Sequence, residues 1–319
     1  MLKYIAALLI ALSWGLSIHA QLVPKDAVPE KVADGYGFTE GPVAIENIIV
    51  FTDIPNSVAI AYNTETGETM TVLEDTKNTN GLMLYDRVLW GCSHGARALV
   101  KYADEGAGQQ IVWDRTFVPD GDGGLRQVRL NSPNDLAIDN DGGVYFTDPR
   151  YGKRDSMETD IEGVYFYNET AERKDGGVIV TQTFLPIDLE LERPNGIVLS
   201  PDQKTLYVAD HGANWIYAYD IESPGKVKNK RKLAQLNNGE GRGSDGMTVD
   251  KMGRLYATGH KKVWVFEPTG QLVATMDVGP QTTNCTFGSD GKTLYITANK
   301  GLYRIKLNTD APLEHAEKE

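Results

Sequence analysis

The feature that most constrains the fold of this 319-residue chain is an internal repeat that occurs six times. Each unit has an Asn, Asp or Glu, a short apolar run, a turn rich in Asp, Gly, Asn and Pro, and a second apolar run with an aromatic residue. The clearest copies begin at Asn134, Asn195 and Asp245. Because the apolar residues alternate with a period of two, each unit is predicted to be a β-hairpin.

The spacing of the units predicts the architecture. They start at residues 40, 80, 134, 195, 245 and 284, so successive starts are 40, 54, 61, 50 and 39 residues apart. More polar candidate strands follow the hairpins, for example at 215–219 and 231–236, and would complete four-stranded blades. We therefore predict an all-β, six-bladed β-propeller that forms one domain over residues 21–319, with longer loops inserted at 119–129 and 151–161.

A secretory signal peptide is predicted over residues 1–20. Lys3 precedes an apolar run from Tyr4 to Leu16, and Ala20 is a suitable small residue before a cleavage site. The alternative is a retained membrane anchor, but the run is shorter than the roughly 20 apolar residues that span a bilayer. The mature protein is expected to be exported, to the periplasm or the medium, without membrane association after cleavage.

Charge and cysteine content narrow the range of partners. The chain has 32 basic and 44 acidic residues and a net charge of −12, which becomes −13 once Lys3 is removed with residues 1–20. This field argues against nucleic acid and anionic membranes as partners. We expect Cys92 and Cys285 to be buried, and their positions in non-adjacent repeat units argue against a disulfide between them, although the sequence alone does not determine whether they pair. A monomer and a small homo-oligomer both remain open.

An oxygen-bearing side chain starts every repeat unit. The six residues are Glu40, Asn80, Asn134, Asn195, Asp245 and Asn284. Innermost propeller strands surround the axis, so these side chains should lie at one height around the central channel. Buried carboxylates and amides require partners, and calcium accepts such oxygens in a shell of six to eight ligands. The alternative, that Asn or Asp before Gly only builds a turn at the strand start, does not account for Glu40.

The far ends of the second strands should return to the same face. Those positions hold Asp53, His94, Asp148, His211 and His260. A single histidine is more often a structural residue than a catalytic one. The shared placement of the three histidines nevertheless predicts a rim of side chains that can donate protons or contact a substrate.

Several motifs in order resemble the gluconolactonase family, which includes regucalcin. They are Asn131-Ser-Pro-Asn-Asp-Leu136, Tyr145-Phe-Thr-Asp-Pro149, Arg193-Pro-Asn-Gly-Ile197 and Ser244-Asp-Gly-Met247. The resemblance covers roughly residues 37–304. It implies a central Ca²⁺, or another divalent metal such as Zn²⁺, Mn²⁺ or Mg²⁺. The implied ligands are Glu40, Asn134, Asn195 and Asp245.

The resemblance also bears on the substrate. In regucalcin an arginine that contributes to the sugar site precedes a liganding asparagine by two residues. Ser132 holds that position here, and Arg129 is the candidate replacement. Relatives include phosphotriesterases similar to diisopropyl fluorophosphatase, so the fold alone does not determine the substrate.

We therefore expect a metal-dependent hydrolase that opens a small lactone, such as a sugar lactone. Asp245 is the first candidate for the general base, followed by Asp148 and His94. The candidate substrate-binding residues are Asn80, Asn134, Arg129 and His211. The alternatives are a phosphotriesterase or aryl esterase of the same fold, and a non-enzymatic ligand-binding propeller with a structural calcium.

Overall fold

A computed structural model describes residues 22–24, 26–102, 108–174 and 177–308. These residues form 26 β-strands and one short 3₁₀ turn, Asn237–Gly239. No helix within the described ranges is long and apolar enough to cross a membrane. The predicted signal peptide at 1–20 lies outside the described residues.

The strands fall into six four-stranded sheets and one two-stranded sheet. The first are β1 (Glu30–Asp34), β2 (Thr39–Ile45), β3 (Ile48–Asp53), β4 (Val58–Asn63), β5 (Thr69–Leu73), β6 (Thr79–Tyr85), β7 (Val88–Ser93), β8 (Ala98–Tyr102) and β9 (Gln110–Trp113). The next are β10 (Arg115–Pro119), β11 (Leu125–Arg129), β12 (Leu136–Ile138), β13 (Val144–Asp148), β14 (Gly163–Lys174), β15 (Gly177–Asp188), β16 (Pro194–Leu199), β17 (Thr205–Asp210), β18 (Trp215–Ser223) and β19 (Lys226–Ala234). The last are β20 (Met247–Val249), β21 (Leu255–Gly259), β22 (Lys262–Phe266), β23 (Leu272–Asp277), β24 (Thr282–Phe287), β25 (Thr293–Ala298) and β26 (Gly301–Lys306).

The six four-stranded sheets are the blades of a propeller, as predicted. Their strand orders are β2-β3-β4-β5, β6-β7-β8-β9, β12-β13-β14-β15, β16-β17-β18-β19, β20-β21-β22-β23 and β1-β26-β25-β24. The innermost strands contact one another in the cyclic order β2, β6, β12, β16, β20, β24 and back to β2. The hairpin in each repeat unit is therefore the inner half of a blade.

The sixth blade is completed by a strand from the beginning of the described chain. β1 pairs antiparallel with β26, with Glu30 opposite Arg304. The Arg304 guanidinium Nε lies 2.9 Å from a Glu30 carboxylate oxygen across this pair. This pairing joins strands from the two ends of the described chain and closes the ring.

Aspartate side chains hold the tight turns between inner strands. Asp139 Oδ1 accepts the backbone N–H groups of Asp141 at 3.0 Å and Gly143 at 2.8 Å. Asp250 makes the same pair of bonds to Met252 and Arg254, both at 3.0 Å. These bonds explain why the repeat carries Asp at the turn between its two apolar runs.

Apolar side chains pack between neighbouring blades. In the cluster between the second and third blades, Trp90 and Leu99 pack with Phe146 and Tyr165, and all four are buried. Cys92 and Cys285 are both buried, as expected, and no disulfide joins them.

The predicted loop at 119–129 is partly regular, and this corrects the sequence reading. β10 and β11 pair antiparallel, from Arg115 opposite Arg129 to Pro119 opposite Leu125. Thr116, Val118 and Val128 are buried, so one face of this hairpin packs on the propeller. Residues 151–161, in contrast, contain no strand, as predicted.

Candidate axial site

The first residues of the inner strands come close together at the axis because glycine follows several of the ring residues. A Cβ on Gly196 would lie 2.3 Å from the backbone oxygen of Asp245, and one on Gly41 would lie 2.2 Å from the backbone oxygen of Asn80. The Gly196 N–H donates to the Asp245 carbonyl at 2.9 Å. These glycines are therefore required because the backbones of neighbouring blades approach closely at them. A turn at the strand start alone would not require this.

The ring side chains contact one another across the axis. Asn284 hydrogen-bonds the Glu40 carboxylate, and its Nδ2 lies 3.4 Å from Asp135 Oδ2. Asn195 hydrogen-bonds the Asp245 carboxylate. Of these, only Asp245 keeps partial contact with solvent; the others are buried. The site is a buried group of acids and amides with one side open at Asp245.

Asn134 and Asn80 occupy the next positions of the ring. Asn134 is buried, and its carbonyl accepts the Gly81 N–H at 2.9 Å, which joins the second and third blades. Asn80 Nδ2 lies 3.3 Å from His94 Nε2. The structure therefore brings the four predicted metal ligands, together with Asn80 and His94, to one end of the channel.

Burial perturbs the axial carboxylates. It raises the pKa of Glu40 well above its ordinary value, and the nearby Asp245 and Asp135 carboxylates raise it further. Burial likewise raises the pKa of Asp245 to about 7, opposed by the Asn195 hydrogen bond and reinforced by Asp135. Among the described residues, the ion pairs involve neither Glu40 nor Asp245.

The chemistry of these donors fits a hard divalent cation. Two carboxylates of raised pKa need positive charge, and Asn80 Oδ1 is a buried acceptor with no hydrogen-bond partner in the described structure. Carboxylate and amide oxygens are the ligands that calcium prefers. Over the described ranges, no three His, Cys, Asp or Glu side chains group as metal ligands. This is consistent with a ligand set of two acids and two amides.

Tyr151 is held against the axial ring from the loop after β13. Its hydroxyl accepts a hydrogen bond from Asn195 Nδ2 at 2.7 Å. Its ring meets the His211 ring edge to face at 6.1 Å, and His211 Nδ1 lies 3.2 Å from the Ser244 carbonyl oxygen. His211, a predicted substrate contact, is therefore connected to the axial residue Asn195 through Tyr151.

His94 is neutral at physiological pH. Burial, together with the charge of Arg150, lowers its pKa to about 4. With Nε2 beside the Asn80 amide, His94 can orient that side chain or accept a proton. His260 lies further out, where its Nε2 is 2.6 Å from the Arg242 carbonyl oxygen.

Asp148 binds the backbone that precedes the third blade. Its two oxygens accept the N–H groups of Asn131 and Ser132, both at 2.7 Å. Burial raises its pKa to about 7, and these two bonds oppose the rise. Asp53 makes equivalent bonds to the N–H groups of residues 37 and 38. The carboxylates at the strand ends therefore clamp loops and do not point together into a rim.

Arg129 is also occupied by the backbone. Its guanidinium donates to the Ala96 carbonyl, and no contact with an axial residue is present in the described structure. The nearby loop at 151–161 is tied down at Ser156, whose backbone oxygen accepts a bond from Arg97 at 3.0 Å and whose hydroxyl contacts Arg150. These contacts fix the loop that carries Tyr151.

Two residues of the site were not predicted as site residues from the sequence. Asp135 replaces the glycine that follows the ring residue in four of the other units, and this departure from the repeat was the signal available. Tyr151 lies in an inserted segment outside the repeat, where periodicity offers no position to compare. Its hydrogen bond to Asn195 becomes visible only once the blades are assembled.

The fold and its axis define a class: six-bladed propellers with a group of acidic and amide side chains on the axis. The chain belongs to the family described as the SMP-30/Gluconolactonase/LRE-like region, whose model matches residues 38–300. The family resemblance read from the motifs is thereby confirmed.

Three known proteins illustrate the similarity. The chain is 29% identical over 304 residues to a gluconolactonase of Zymomonas mobilis, covering 88% of this chain and 81% of that protein. A solved gluconolactonase of Xanthomonas campestris superposes with a TM-score of 0.76 and 28% identity, covering 92% and 93% of the two chains. The diisopropyl-fluorophosphatase of Loligo vulgaris is 24% identical over 204 residues, which is 59% of this chain and 62% of that protein.

Proposed function

We propose that this protein is a metal-dependent hydrolase that opens a small lactone, with sugar lactones as the first candidates. The observation that carries the proposal is the close pair of carboxylates, buried Glu40 and partly exposed Asp245, surrounded by amide side chains at one end of the propeller axis. The similarity to two proteins named gluconolactonase supports lactones as the substrate class.

Glu40, Asn134, Asn195 and Asp245 would hold the cation, for which calcium is the first candidate and zinc, manganese and magnesium are alternatives. When bound, the ion would polarise the lactone carbonyl and stabilise negative charge on its oxygen. The protein's part is to keep these four side chains together, which the contacts of Asn195 and Asn284 with the two carboxylates support.

Asp245 is our candidate general base. Glu40 and Asp135 are buried, whereas Asp245 keeps partial contact with solvent. A water molecule on the open side can therefore pass its proton to the Asp245 carboxylate as it attacks the carbonyl carbon. We assign the orientation of substrate hydroxyl groups to the neutral His94 and the adjacent Asn80, a role that their mutual contact supports.

We assign Asp148 and Arg129 lesser parts than the sequence suggested. The Asp148 carboxylate is engaged by two backbone N–H groups, and the Arg129 guanidinium by a carbonyl. Both support the loops beside the third blade, so their replacement should act through the position of Asn134. His211 stays a candidate for substrate contact, because it packs against Tyr151.

A phosphotriesterase or aryl esterase is the second candidate, favoured by the similarity to the diisopropyl-fluorophosphatase of Loligo vulgaris. A polarising cation and a nearby carboxylate serve phosphoryl and acyl centres alike. A third possibility is a binding propeller in which the axial cation is structural.

One assay separates these functions. Residues 21–319 are purified and tested with glucono-1,5-lactone, a panel of other lactones, a phosphotriester and an aryl ester, before and after chelation and return of calcium. Lactone turnover that needs metal and is lost in Asp245→Asn supports the proposal. Asp86→Asn is the matched control, because Asp86 is exposed in the turn at the opposite end of β6. A folded, metal-loaded protein that hydrolyses none of these substrates would exclude the enzyme proposal.

We further propose that the protein is exported after removal of residues 1–20, as their composition suggests. The mass of the N-terminal peptide of protein recovered outside the cytoplasm tests this. A mature chain that begins at Met1 would contradict it.

A further inference from the structure

Two arginines near the axial residues, Arg193 and Arg242, form no ion pair with an acidic side chain within the part of the chain that the structure describes. The hydrogen bonds and ion pairs of the described residues include none from the guanidinium of Arg193 or of Arg242. Arg193 is half-buried and Arg242 is exposed. Because the chain as a whole has a net charge of −12, this group of cations is a local exception.

Arg193 is held in place beside the axis. Its carbonyl accepts the His211 N–H at 3.1 Å, which fixes its backbone. Its guanidinium lies over the ring of Tyr151, with Cζ 5.4 Å from the centroid. Tyr151 is in turn fixed by the hydrogen bond from Asn195 at 2.7 Å. Contacts therefore connect the axial amide of Asn195, through Tyr151, to the guanidinium of Arg193.

This arrangement leaves the donors of Arg193 free. An aromatic ring covers a face of the guanidinium, so the N–H groups along its edges remain available for a ligand. Carboxylate and phosphate groups match this planar set of donors with two parallel hydrogen bonds. The backbone next to Arg242 is held beside His211, because the Gly243 N–H donates to the His211 carbonyl at 2.9 Å. Burial lowers the pKa of His211, and both arginine charges lower it further, in agreement with their proximity.

We propose that Arg193, with Arg242 beside it, binds an anionic group of the substrate and selects lactones that carry a carboxylate or a phosphate. This specificity rests on the proposed lactonase function. The ring ester of such a molecule would lie at the axial carboxylates, and its anionic substituent would point toward the fourth and fifth blades.

The test compares three lactones: neutral glucono-1,5-lactone, glucaro-1,4-lactone with a free carboxylate, and 6-phosphoglucono-1,5-lactone. The wild type is expected to have a higher kcat/KM for at least one anionic lactone than for the neutral one. Arg193→Gln should lower kcat/KM for that anionic lactone about ten-fold or more, as expected for a lost charged hydrogen-bond pair, and change the neutral lactone less than about two-fold. The carboxylate and phosphate substrates identify which anion is preferred.

Two variants control for charge and geometry. Arg87→Gln removes the same charge from an exposed turn at the opposite end of β6, and should leave the anionic-to-neutral ratio unchanged. Arg193→Lys keeps the charge but loses the paired donors, and should recover only part of the selectivity. An unchanged ratio in Arg193→Gln, or a ratio that falls equally in Arg87→Gln, would overturn the inference.

Failure of the proposed function can be told apart from failure of this inference. If the wild type hydrolyses no lactone, binding of the stable acids glucarate and gluconate is measured by calorimetry. Tighter binding of glucarate that is lost in Arg193→Gln would uphold the anion site without the lactonase. If the wild type and Arg193→Gln bind glucarate with equal affinity, the proposed anion site is overturned.

Discussion

Replacing Asp245 by Asn should stabilise the metal-free protein at alkaline pH. Burial raises the pKa of Asp245 from its ordinary value of 3.8 to about 7. A carboxyl group whose pKa is raised by folding opposes folding once it ionises. The cost is absent below the unfolded pKa, grows as the pH rises between 3.8 and 7, and is complete above pH 7. A shift of this size corresponds to at most ~4 kcal/mol, of which ~3 kcal/mol appears between pH 5 and 8.

The assay is urea unfolding at pH 5 and pH 8, with chelator and with excess calcium. Without metal, the wild type should lose stability between pH 5 and pH 8, and Asp245→Asn should lose markedly less. Calcium at about 100 times its Kd should restore ~2.7 kcal/mol to the wild type. The variant should gain little, because it has lost a charged ligand.

Asp86→Asn again serves as the control, since Asp86 is exposed in the turn at the opposite end of β6. Two results would refute the reasoning. One is an Asp245→Asn protein that is less stable than the wild type at pH 8 in chelator. The other is equal stabilisation of both proteins by calcium, which would place the cation elsewhere.

Three further predictions concern the same ring. Tyr151→Phe removes the hydrogen bond to Asn195 and should weaken calcium binding about five-fold without changing the melting temperature of the metal-free protein by more than a few degrees; calorimetric titration measures it. Gly196→Ala places a Cβ 2.3 Å from the Asp245 carbonyl oxygen and should cost more than about 2 kcal/mol of unfolding free energy, whereas Gly177→Ala, with 3.7 Å available, should be tolerated. Calcium affinity should fall about ten-fold from pH 8 to pH 6 as Asp245 becomes protonated, and a Kd independent of pH would contradict the ligand assignment.

The fold could be predicted because the repeat is local. Each hairpin is encoded by about 15 contiguous residues, and few architectures are compatible with six such units at the spacing of propeller blades. The pairing of β1 with β26 could not be predicted, because it joins residues 30 and 304 and no pattern within either strand specifies the partner. The hairpin of β10 and β11 was missed for a different reason: Gly121, Gly123 and Gly124 at its turn read as a loop.

The axial ring could also be predicted, because equivalent positions of a closed repeat must lie at equivalent heights. The same reasoning was weaker at the ends of the second strands. Asp53 and Asp148 are equivalent to each other, but their carboxylates turn to backbone N–H groups that the repeat pattern does not display. Equivalence in the repeat therefore specifies where a residue lies and not what its side chain binds.

The departures from the repeat indicate where chemistry takes place on an otherwise regular ring. Asp135 stands where four other units have glycine, Tyr151 lies in an insertion, and Arg193 precedes the start of the fourth unit with its guanidinium uncompensated. Glu40 and Asn284, on the opposite side, are buried against each other. Asp245 is the partly exposed member of this group, so a substrate that reaches it from that side meets Tyr151 and Arg193. We therefore propose that the regular repeat builds the cation site and that the irregular third to fifth blades supply the selectivity.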